Sequence, residues 1–139
     1  MIGIGIDLVD VQRFRKVLKR REKIGARLFT DNELSYCHAA IDPTERMAVR
    51  FAAKEAVMKA LGVGLGGVRF REIEVIKDPS GRPSLTLHGN AAQLAADTGI
   101  RHWHLSLSHT SSVAEALVIV RDGRLTAWLR PRGAEPRGS

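Results

Sequence analysis

The sequence predicts an α+β fold in a single domain. Helix and strand patterns follow one another without the regular strand–helix–strand alternation that indicates a parallel sheet. Three apolar stretches in the C-terminal third, HWHLSLSH, VAEALVIV and RLTAWL, predict antiparallel strands. The length of 139 residues suits one domain over 1–129, followed by a basic, Pro- and Gly-rich tail at 130–139 that we expect to be disordered.

The first predicted elements are a strand and a basic helix. In MIGIGIDLVD, isoleucine alternates with glycine, which predicts a buried isoleucine face and an opposite face of glycines that leads to Asp7. A helix is expected over residues 9–27 because its apolar residues share one side. TDNE at 30–33 has the pattern of a capping box and predicts a short helix starting at Asp31.

The longest predicted helix follows DPTE at 42–45. Asp42 suits the N-cap and Pro43 the first helical position, while Gly62 suits a left-handed C-terminal cap after Leu61. Beyond the glycine-rich loop at 62–67, FREIEVIKD and SLTLHG predict a hairpin. NAAQLAADTG then predicts a short helix that ends before Gly99.

Composition narrows the class of protein. Apolar residues make up 44% and charged residues 27%, which is ordinary for a soluble domain, and no apolar run is long enough to span a membrane. The N-terminal residues lack the pattern of a secretory signal. Cys37 is the single cysteine, and no Cys/His spacing predicts zinc. We therefore expect a cytoplasmic protein that has no membrane partner.

The net charge of +7 is concentrated in one segment. RFRKVLKRREK at 13–23 contains seven Lys or Arg and one Glu. Such a local excess indicates an acidic partner for one surface, such as nucleic acid, anionic lipid or an acidic protein, although a solvated helix face would have the same pattern. Nucleic acid is not expected as the partner, because aromatic residues make up only 5% and Phe14 alone interleaves the basic run.

The long helix carries candidate chemistry on one stripe. Glu55, Lys59 and Gly62 lie within roughly 60° of one another at 100° per residue, and Lys54 lies on the adjacent stripe. Alanines on the opposite flank predict close packing of this helix against a sheet. The alternative for Glu55 and Lys59 is an ordinary surface ion pair at i,i+4 spacing.

Asp7 has two possible roles, capping the basic helix or binding a metal ion. Asp7 and Glu55 are carboxylates on separate elements, an arrangement that suits Mg²⁺ bound to phosphates, with lysines neutralising further charge. In LSLSHTSS, Ser106 and Ser108 are expected to face outward, with His109 at the strand end. This end is either a polar strand terminus or a rim that binds phosphate or a nucleobase.

Three segments in order, GIGIDLVDVQRF, RFAAKEAVMKALG and LSLSHT, resemble the holo-acyl-carrier-protein synthases, the small bacterial group of 4′-phosphopantetheinyl transferases. Gly5, Asp7 and Arg13 match a G-x-D-x5-R pattern. Phe51 to Gly62 match an aromatic residue, any two residues and then K-E-A-x2-K-A-x-G. The resemblance covers residues 1–121.

The resemblance implies an antiparallel sheet wrapped around a long helix, in a homotrimer with active sites between subunits. It also implies that the phosphopantetheine arm of coenzyme A is transferred to a serine of apo-acyl carrier protein, with release of adenosine 3′,5′-bisphosphate. The attacking serine then belongs to the carrier, so this chain needs no nucleophile of its own.

The resemblance also assigns roles to individual residues. Asp7 and Glu55 are expected to hold Mg²⁺, and Glu55 or a water that it orients takes the serine proton. Lys59 is a second catalytic residue. The residues expected to contact coenzyme A are Lys54, Lys59, Gly62, Gly64, Gly66, His109 and Thr110. Arg13, Arg20 and Lys23 are expected to dock the acidic carrier protein. From the residues alone, a nucleic-acid-binding module and a Mg²⁺-dependent nucleotide phosphohydrolase stay open as alternatives.

Overall fold

The computed structural model describes residues 2–63 and 66–123. The first half holds a strand and four helices: β1 (Ile2–Asp10), α1 (Val11–Arg20), α2 (Ile24–Leu28), α3 (Asp31–His38) and α4 (Thr44–Leu61). The second half holds a 3₁₀ turn (Phe70–Glu72), β2 (Ile73–Lys77), β3 (Pro83–Leu87), α5 (Gly89–Asp97), β4 (His102–His109) and β5 (Val113–Arg121). The predicted strand RLTAWL, the boundary at 129 and the tail at 130–139 lie outside the described residues.

The strands form two antiparallel sheets around the long helix. One sheet has the order β1-β5-β4, and β2 pairs with β3 in a hairpin. Helix α4 packs against β1, β5, β4 and β2, so both sheets contact the same central helix. The predicted α+β fold, with an antiparallel sheet wrapped around a long helix, is therefore confirmed.

The basic segment departs from the single helix expected over 9–27. The Asp10 carboxylate accepts a hydrogen bond from the backbone N–H of Arg13, so α1 begins at Val11 and the preceding residues stay in β1. The chain leaves the helical conformation at Arg21 and resumes it at Ile24. The second short helix directs Leu28 into the core.

The other helix ends follow the predicted signals closely. The capping box at Thr30 and Glu33 is present, with each side chain bonded to the other's backbone N–H. Helix α4 begins at Thr44, one residue later than expected, and the Asp42 carboxylate accepts a hydrogen bond from the Thr44 N–H at 3.0 Å. It ends at Gly62, whose φ of 70° is the left-handed conformation expected of a C-cap.

The strand β1 presents the opposite face to the one predicted. Ile4, Ile6 and Leu8 are 62%, 51% and 64% exposed, whereas the glycine face is turned toward α4. A Cβ on Gly3 would lie 2.5 Å from the Ala60 carbonyl oxygen, and one on Gly5 would overlap the helix backbone outright. The expected burial of the isoleucines is therefore wrong: glycine faces inward because the helix backbone needs that space.

The predicted alanine flank of α4 is confirmed. Ala52, Ala53 and Ala56 are fully buried and belong to a hydrophobic core cluster together with the inward residues of β5. These small side chains allow the helix to lie close to the sheet, which fixes the positions of its polar stripe. None of the helices in the described ranges is both long and apolar enough to cross a membrane.

Candidate active site

Asp7 is directed at α4 because it lies on the same strand face as Gly3 and Gly5. Its side chain is mostly buried, and Oδ1 accepts a hydrogen bond of 3.0 Å from Lys59 Nζ. The same ammonium donates to the carbonyl oxygen of Ile6 at 2.9 Å. The second oxygen, Oδ2, is buried and has no hydrogen-bond partner. A buried carboxylate oxygen without a donor is costly unless a ligand or cation completes it.

Glu55 lies one helical turn before Lys59 and beside Asp7. Burial raises the pKa of the Glu55 carboxyl, and the negative charge of the neighbouring Asp7 raises it further. The nearby Lys59 ammonium opposes this shift. The two carboxyl groups that the sequence places 48 residues apart are thus neighbours in the fold.

These two carboxyl groups fit a hard divalent cation. Both offer oxygen donors, one oxygen of Asp7 is unpartnered, and their mutual repulsion would be relieved by a positive ion between them. Within residues 2–63 and 66–123, no cluster of three or more His, Cys, Asp or Glu residues is arranged to hold a metal. Such an ion would therefore take its remaining ligands from water and phosphate, as Mg²⁺ does.

Lys54 does not lie at this site. Its side chain is fully buried, and Nζ donates to Glu33 Oε1 at 2.6 Å and to the carbonyl oxygens of Phe70 and Ile73 at 2.9 and 2.5 Å. All three ammonium hydrogens are used in the protein interior. The expected contact of Lys54 with coenzyme A is therefore corrected to a structural ion pair, which joins α4 to α3 and to the start of β2.

A second polar site lies at the other end of α4. His109 Nδ1 lies 3.6 Å from Glu45 Oε2 and lines a cavity of about 420 Å³ together with Arg46, Arg50 and Tyr36. The Arg50 side chain is buried, and its Nε has no hydrogen-bond partner. The sequence reasoning missed both arginines, although their i,i+4 spacing on a predicted helix is a signal that could have found them.

Thr110 and the glycine loop have local structural roles. The Thr110 hydroxyl oxygen accepts the N–H groups of Ser112 and Val113 at 3.1 and 3.0 Å, which closes the turn that follows His109. Gly62 caps α4, whereas Gly64 lies outside the described residues. Gly66 has a φ of 101°, a conformation that favours glycine. Their contacts with coenzyme A stay predictions.

The expected docking residues lie on the exposed basic segment. Arg13 and Arg20 are seven residues apart, so they share one side of α1, and Lys23 follows in the break before α2. A groove of about 750 Å³ runs beside this segment. Its lining includes five cationic side chains, Lys19, Arg20, Arg21, Lys23 and Arg27, with Leu28 and Phe70 as apolar residues.

The sequence over residues 3–118 matches the family model of the 4′-phosphopantetheinyl transferase superfamily, and the chain belongs to that superfamily. Within it, the resemblance to the holo-acyl-carrier-protein synthase group is confirmed by similar proteins. The holo-[acyl-carrier-protein] synthase of Koribacter versatilis is 45% identical over 124 residues, which cover 88% of this chain and 99% of the relative. That of Syntrophotalea carbinolica is 48% identical over 84% of this chain and 93% of its own.

Solved structures of the same group share the fold. The Neisseria meningitidis holo-[acyl-carrier-protein] synthase has a TM-score of 0.81 at 34% identity and covers 88% of this chain and 100% of its own. The Helicobacter pylori enzyme, solved in complex with coenzyme A, has a TM-score of 0.75 at 34% identity, with 85% and 99% covered.

Proposed function

We propose that this chain transfers the 4′-phosphopantetheine moiety of coenzyme A to a serine of an apo-acyl carrier protein. The observation that carries the proposal is the grouping of Asp7, Glu55 and Lys59, in which a buried carboxylate oxygen is left without a partner. Membership of the superfamily and the names of the similar proteins support the same reaction.

In the proposed reaction, the carrier serine oxygen forms a bond to the phosphorus that bears pantetheine. The bond from that phosphorus to the bridging pyrophosphate oxygen breaks, and adenosine 3′,5′-bisphosphate leaves with the electron pair. The serine proton passes to Glu55 or to a water that Glu55 orients. The raised pKa of Glu55 suits this role, because a carboxylate with a higher proton affinity is a stronger base.

Mg²⁺ is the proposed cofactor, held by Asp7 and Glu55. When bound, it would neutralise charge that develops on the pyrophosphate. Lys59 contributes a second positive charge at the same place, since its side chain is 56% exposed and its ammonium already contacts Asp7. Both features favour the transition state, in which negative charge develops on the leaving pyrophosphate oxygen.

The basic segment is proposed to bind the acyl carrier protein, which is expected to be acidic. Arg13, Arg20 and Lys23 are exposed, and α1 starts directly after β1, four residues beyond Asp7. An acidic protein that docks along this segment is therefore brought close to the carboxylate pair. Complementary charge also accelerates the encounter, and added salt would slow it.

A homotrimer is part of the proposal, and two observations support it. The outer face of β1, with Ile4, Ile6 and Leu8, is an exposed apolar surface of the kind that marks protein interfaces. In addition, Arg46 lies nine residues before Glu55, so the two point to roughly opposite sides of α4 and are about 13 Å apart along its axis. A single coenzyme A molecule could contact the Glu55 site of one subunit and the Arg46 site of a neighbouring subunit more easily than both sites of the same subunit, which lie on opposite sides of α4.

We also propose a cytoplasmic location, in keeping with the free, buried thiol of Cys37. Carrier proteins of fatty acid biosynthesis are the proposed acceptors. To test this preference, the assay below is run with a purified carrier protein of fatty acid biosynthesis and with a purified carrier protein of another assembly pathway.

The test is mass spectrometry of an apo-acyl carrier protein incubated with the chain, coenzyme A and Mg²⁺. We expect a mass increase of one phosphopantetheine that is abolished by chelation of the metal. Cleavage of coenzyme A without any carrier would instead favour a nucleotide phosphohydrolase. Salt-sensitive binding of random DNA with no transfer would favour a nucleic-acid-binding module.

The variant Glu55→Gln separates chemistry from docking. It is expected to abolish transfer and leave binding of the carrier largely intact, since Glu55 lies outside the basic segment. Arg13→Gln is the matched variant, for which we expect weaker carrier binding and a smaller loss of kcat. Loss of carrier binding by Glu55→Gln with chemistry intact would contradict the assignment.

A further inference from the structure

Three cationic side chains surround the ring of Tyr36. The guanidinium carbons of Arg46 and Arg50 lie 4.4 and 4.2 Å from the ring centroid, and Lys77 Nζ lies 5.0 Å from it. We refer to these four residues as the Tyr36 cluster. All three distances are within the range of cation–π attraction. A single aromatic ring thus holds together cations from α4 and β2 that would otherwise repel one another.

The cluster is held by further polar contacts. Arg46 Nη1 donates to the backbone carbonyl of Tyr36 at 2.8 Å, and Arg50 Nη1 donates to the carbonyl of Arg46 at 3.2 Å. The Lys77 ammonium, 5.0 Å from the ring centroid, and the charges of the two arginines lower the pKa of the Tyr36 phenol. The cationic side chains therefore have fixed positions before any ligand arrives.

The cavity beside this cluster has an excess of positive charge. Of its two acidic residues, Asp42 is paired with Arg15 outside the cavity, and Glu45 faces His109. The Arg50 side chain is buried with an unpartnered Nε. A buried guanidinium N–H without an acceptor points to an anion as the missing partner.

We propose that Tyr36 is a positioning residue, which holds the cations of its cluster in place for the 3′-phosphate of coenzyme A. This inference rests on the proposed function. The pyrophosphate is assigned to Asp7, Glu55 and Lys59, so the ribose 3′-phosphate is the phosphate of the donor that needs another site. As a monoester it carries up to two negative charges, which several fixed cations bind better than one. Tyr36 acts through these cations and contacts no reacting atom.

The experiment compares two donors, coenzyme A and 3′-dephospho-coenzyme A, which lacks this phosphate. Initial rates of carrier modification are measured for the wild type, Tyr36→Leu and Tyr36→Phe. Arg82→Gln serves as the matched control, because it removes an exposed cation from the same hairpin as Lys77 without lining the cavity. Melting temperatures check that each variant is folded.

We expect Tyr36→Leu to raise the KM for coenzyme A about tenfold, equivalent to about 1.4 kcal/mol, with kcat little changed. The KM for dephospho-coenzyme A should not change, because that donor makes no use of the cluster. Tyr36→Phe should have a smaller effect, since the ring still supports both arginines. Arg82→Gln should behave as the wild type.

An equal rise of KM for both donors, an unchanged KM, or a fall in kcat alone would overturn the proposal. If Tyr36→Leu fails to fold, Tyr36→Phe and Lys77→Gln provide the test. Both substitutions alter the same contact between Lys77 and Tyr36. The double variant should therefore raise the KM for coenzyme A no more than the larger single effect, and additive effects would overturn the link. A wild type that transfers nothing would reject the proposed function itself, whereas an active wild type with unaffected variants rejects only the role of Tyr36.

Discussion

Lys54 and Lys59 lie on the same helix, five residues apart, and have opposite environments. Lys54 is fully buried, with its three ammonium hydrogens bonded to Glu33 and to two carbonyl oxygens. Lys59 is largely exposed and bridges α4 to Asp7 and the Ile6 carbonyl. One lysine thus joins elements of the core, and the other stands at the edge of the proposed active site.

The different environments of Lys54 and Lys59 show that one sequence motif can contain a lysine that stabilises the core and a lysine of the proposed active site. Burial lowers the pKa of Lys54, and the Glu33 carboxylate opposes that shift and helps to keep the side chain charged. Glu33 in turn accepts the N–H of Val75 at 3.0 Å, which ties the pair to β2. Replacement of Lys54 should therefore lower the stability of the fold, whereas replacement of Lys59 should lower the rate of transfer.

The largest expected effect is that of Lys54→Met on stability. Removing the ammonium leaves the Glu33 carboxylate buried without its cation, which typically costs about 3–5 kcal/mol of unfolding free energy. Urea unfolding at fixed protein concentration measures the change. The double variant Lys54→Met with Glu33→Gln should recover part of the loss, because no unpaired charge then stays buried. Equal stability of the wild type and Lys54→Met would contradict the structural role.

Gly5→Ala is expected to cost about 3 kcal/mol, because its Cβ would overlap the Ala56 carbonyl and force β1 away from α4. The shift would also separate Asp7 from Glu55, so transfer should fall further than stability alone explains. Gly25→Ala is the control, because a Cβ there meets its neighbours at ordinary distances of 3.6 and 3.7 Å. Thermal unfolding and the transfer assay compare them, and equal effects of the two substitutions would argue against the close approach.

Lys59→Gln is expected to lower kcat about 100-fold, which is the usual loss when one group that stabilises transition-state charge is removed. Unfolding free energy should fall by less than about 1 kcal/mol, since the ion pair is partly exposed. Steady-state kinetics and urea unfolding of the same preparation separate the two quantities. Arg82→Gln serves again as a control for the loss of a single charge. If Lys59→Gln lowered the unfolding free energy as much as Lys54→Met does, Lys59 would also have a structural role, which would contradict the proposed difference between the two lysines.

Local signals in the sequence predicted the start of α3, the ends of α4 and α5, and the β2–β3 hairpin, whereas the pairing of β1 with β5 was not predicted. The capping box at Thr30, the Asp42 start and the Gly62 stop each depend on a few neighbouring residues, and each was found within a residue of its place. The break at Arg21–Lys23 was missed because no glycine or proline marks it. The exposed face of β1 was missed for a different reason. The alternation of isoleucine and glycine shows which residues share a face of the strand, but it does not show which of the two faces a helix will cover.

The candidate site was predicted in part. Asp7, Glu55 and Lys59 were found because their pattern is specific, and the glycines of β1 explain why Asp7 reaches α4. Lys54 was assigned to the wrong environment because its partner, Glu33, lies 21 residues away on another helix. The Tyr36 cluster was missed for the same reason: its ring and its cations come from three separate elements.

The smallest expected effect is a gain in stability from Glu55→Gln in the absence of metal. The pKa of Glu55 is raised in the folded chain by burial and by Asp7, so its ionised form is disfavoured there relative to the unfolded chain. Ionisation of Glu55 therefore destabilises the folded chain, and this effect is absent below the pKa of about 4.3 that a glutamate has in the unfolded chain. It grows as pH rises past that value and is complete above the raised, folded pKa. The variant lacks this ionisation and should therefore melt a few degrees higher than the wild type at neutral pH.

Melting temperatures of the metal-free proteins from acidic to neutral pH test this expectation. The difference between Glu55→Gln and wild type should vanish at the acidic end and reach a constant value at neutral pH. Addition of Mg²⁺ should reverse the order, because the cation binds the wild-type carboxylate pair and stabilises only the form that holds it. A lower melting temperature of the metal-free variant at neutral pH would mean that Glu55 stabilises the fold, as Lys54 does. The carboxylates of Asp7 and Glu55 would then have a structural role like that of Lys54, and not a role in the reaction like that proposed for Lys59.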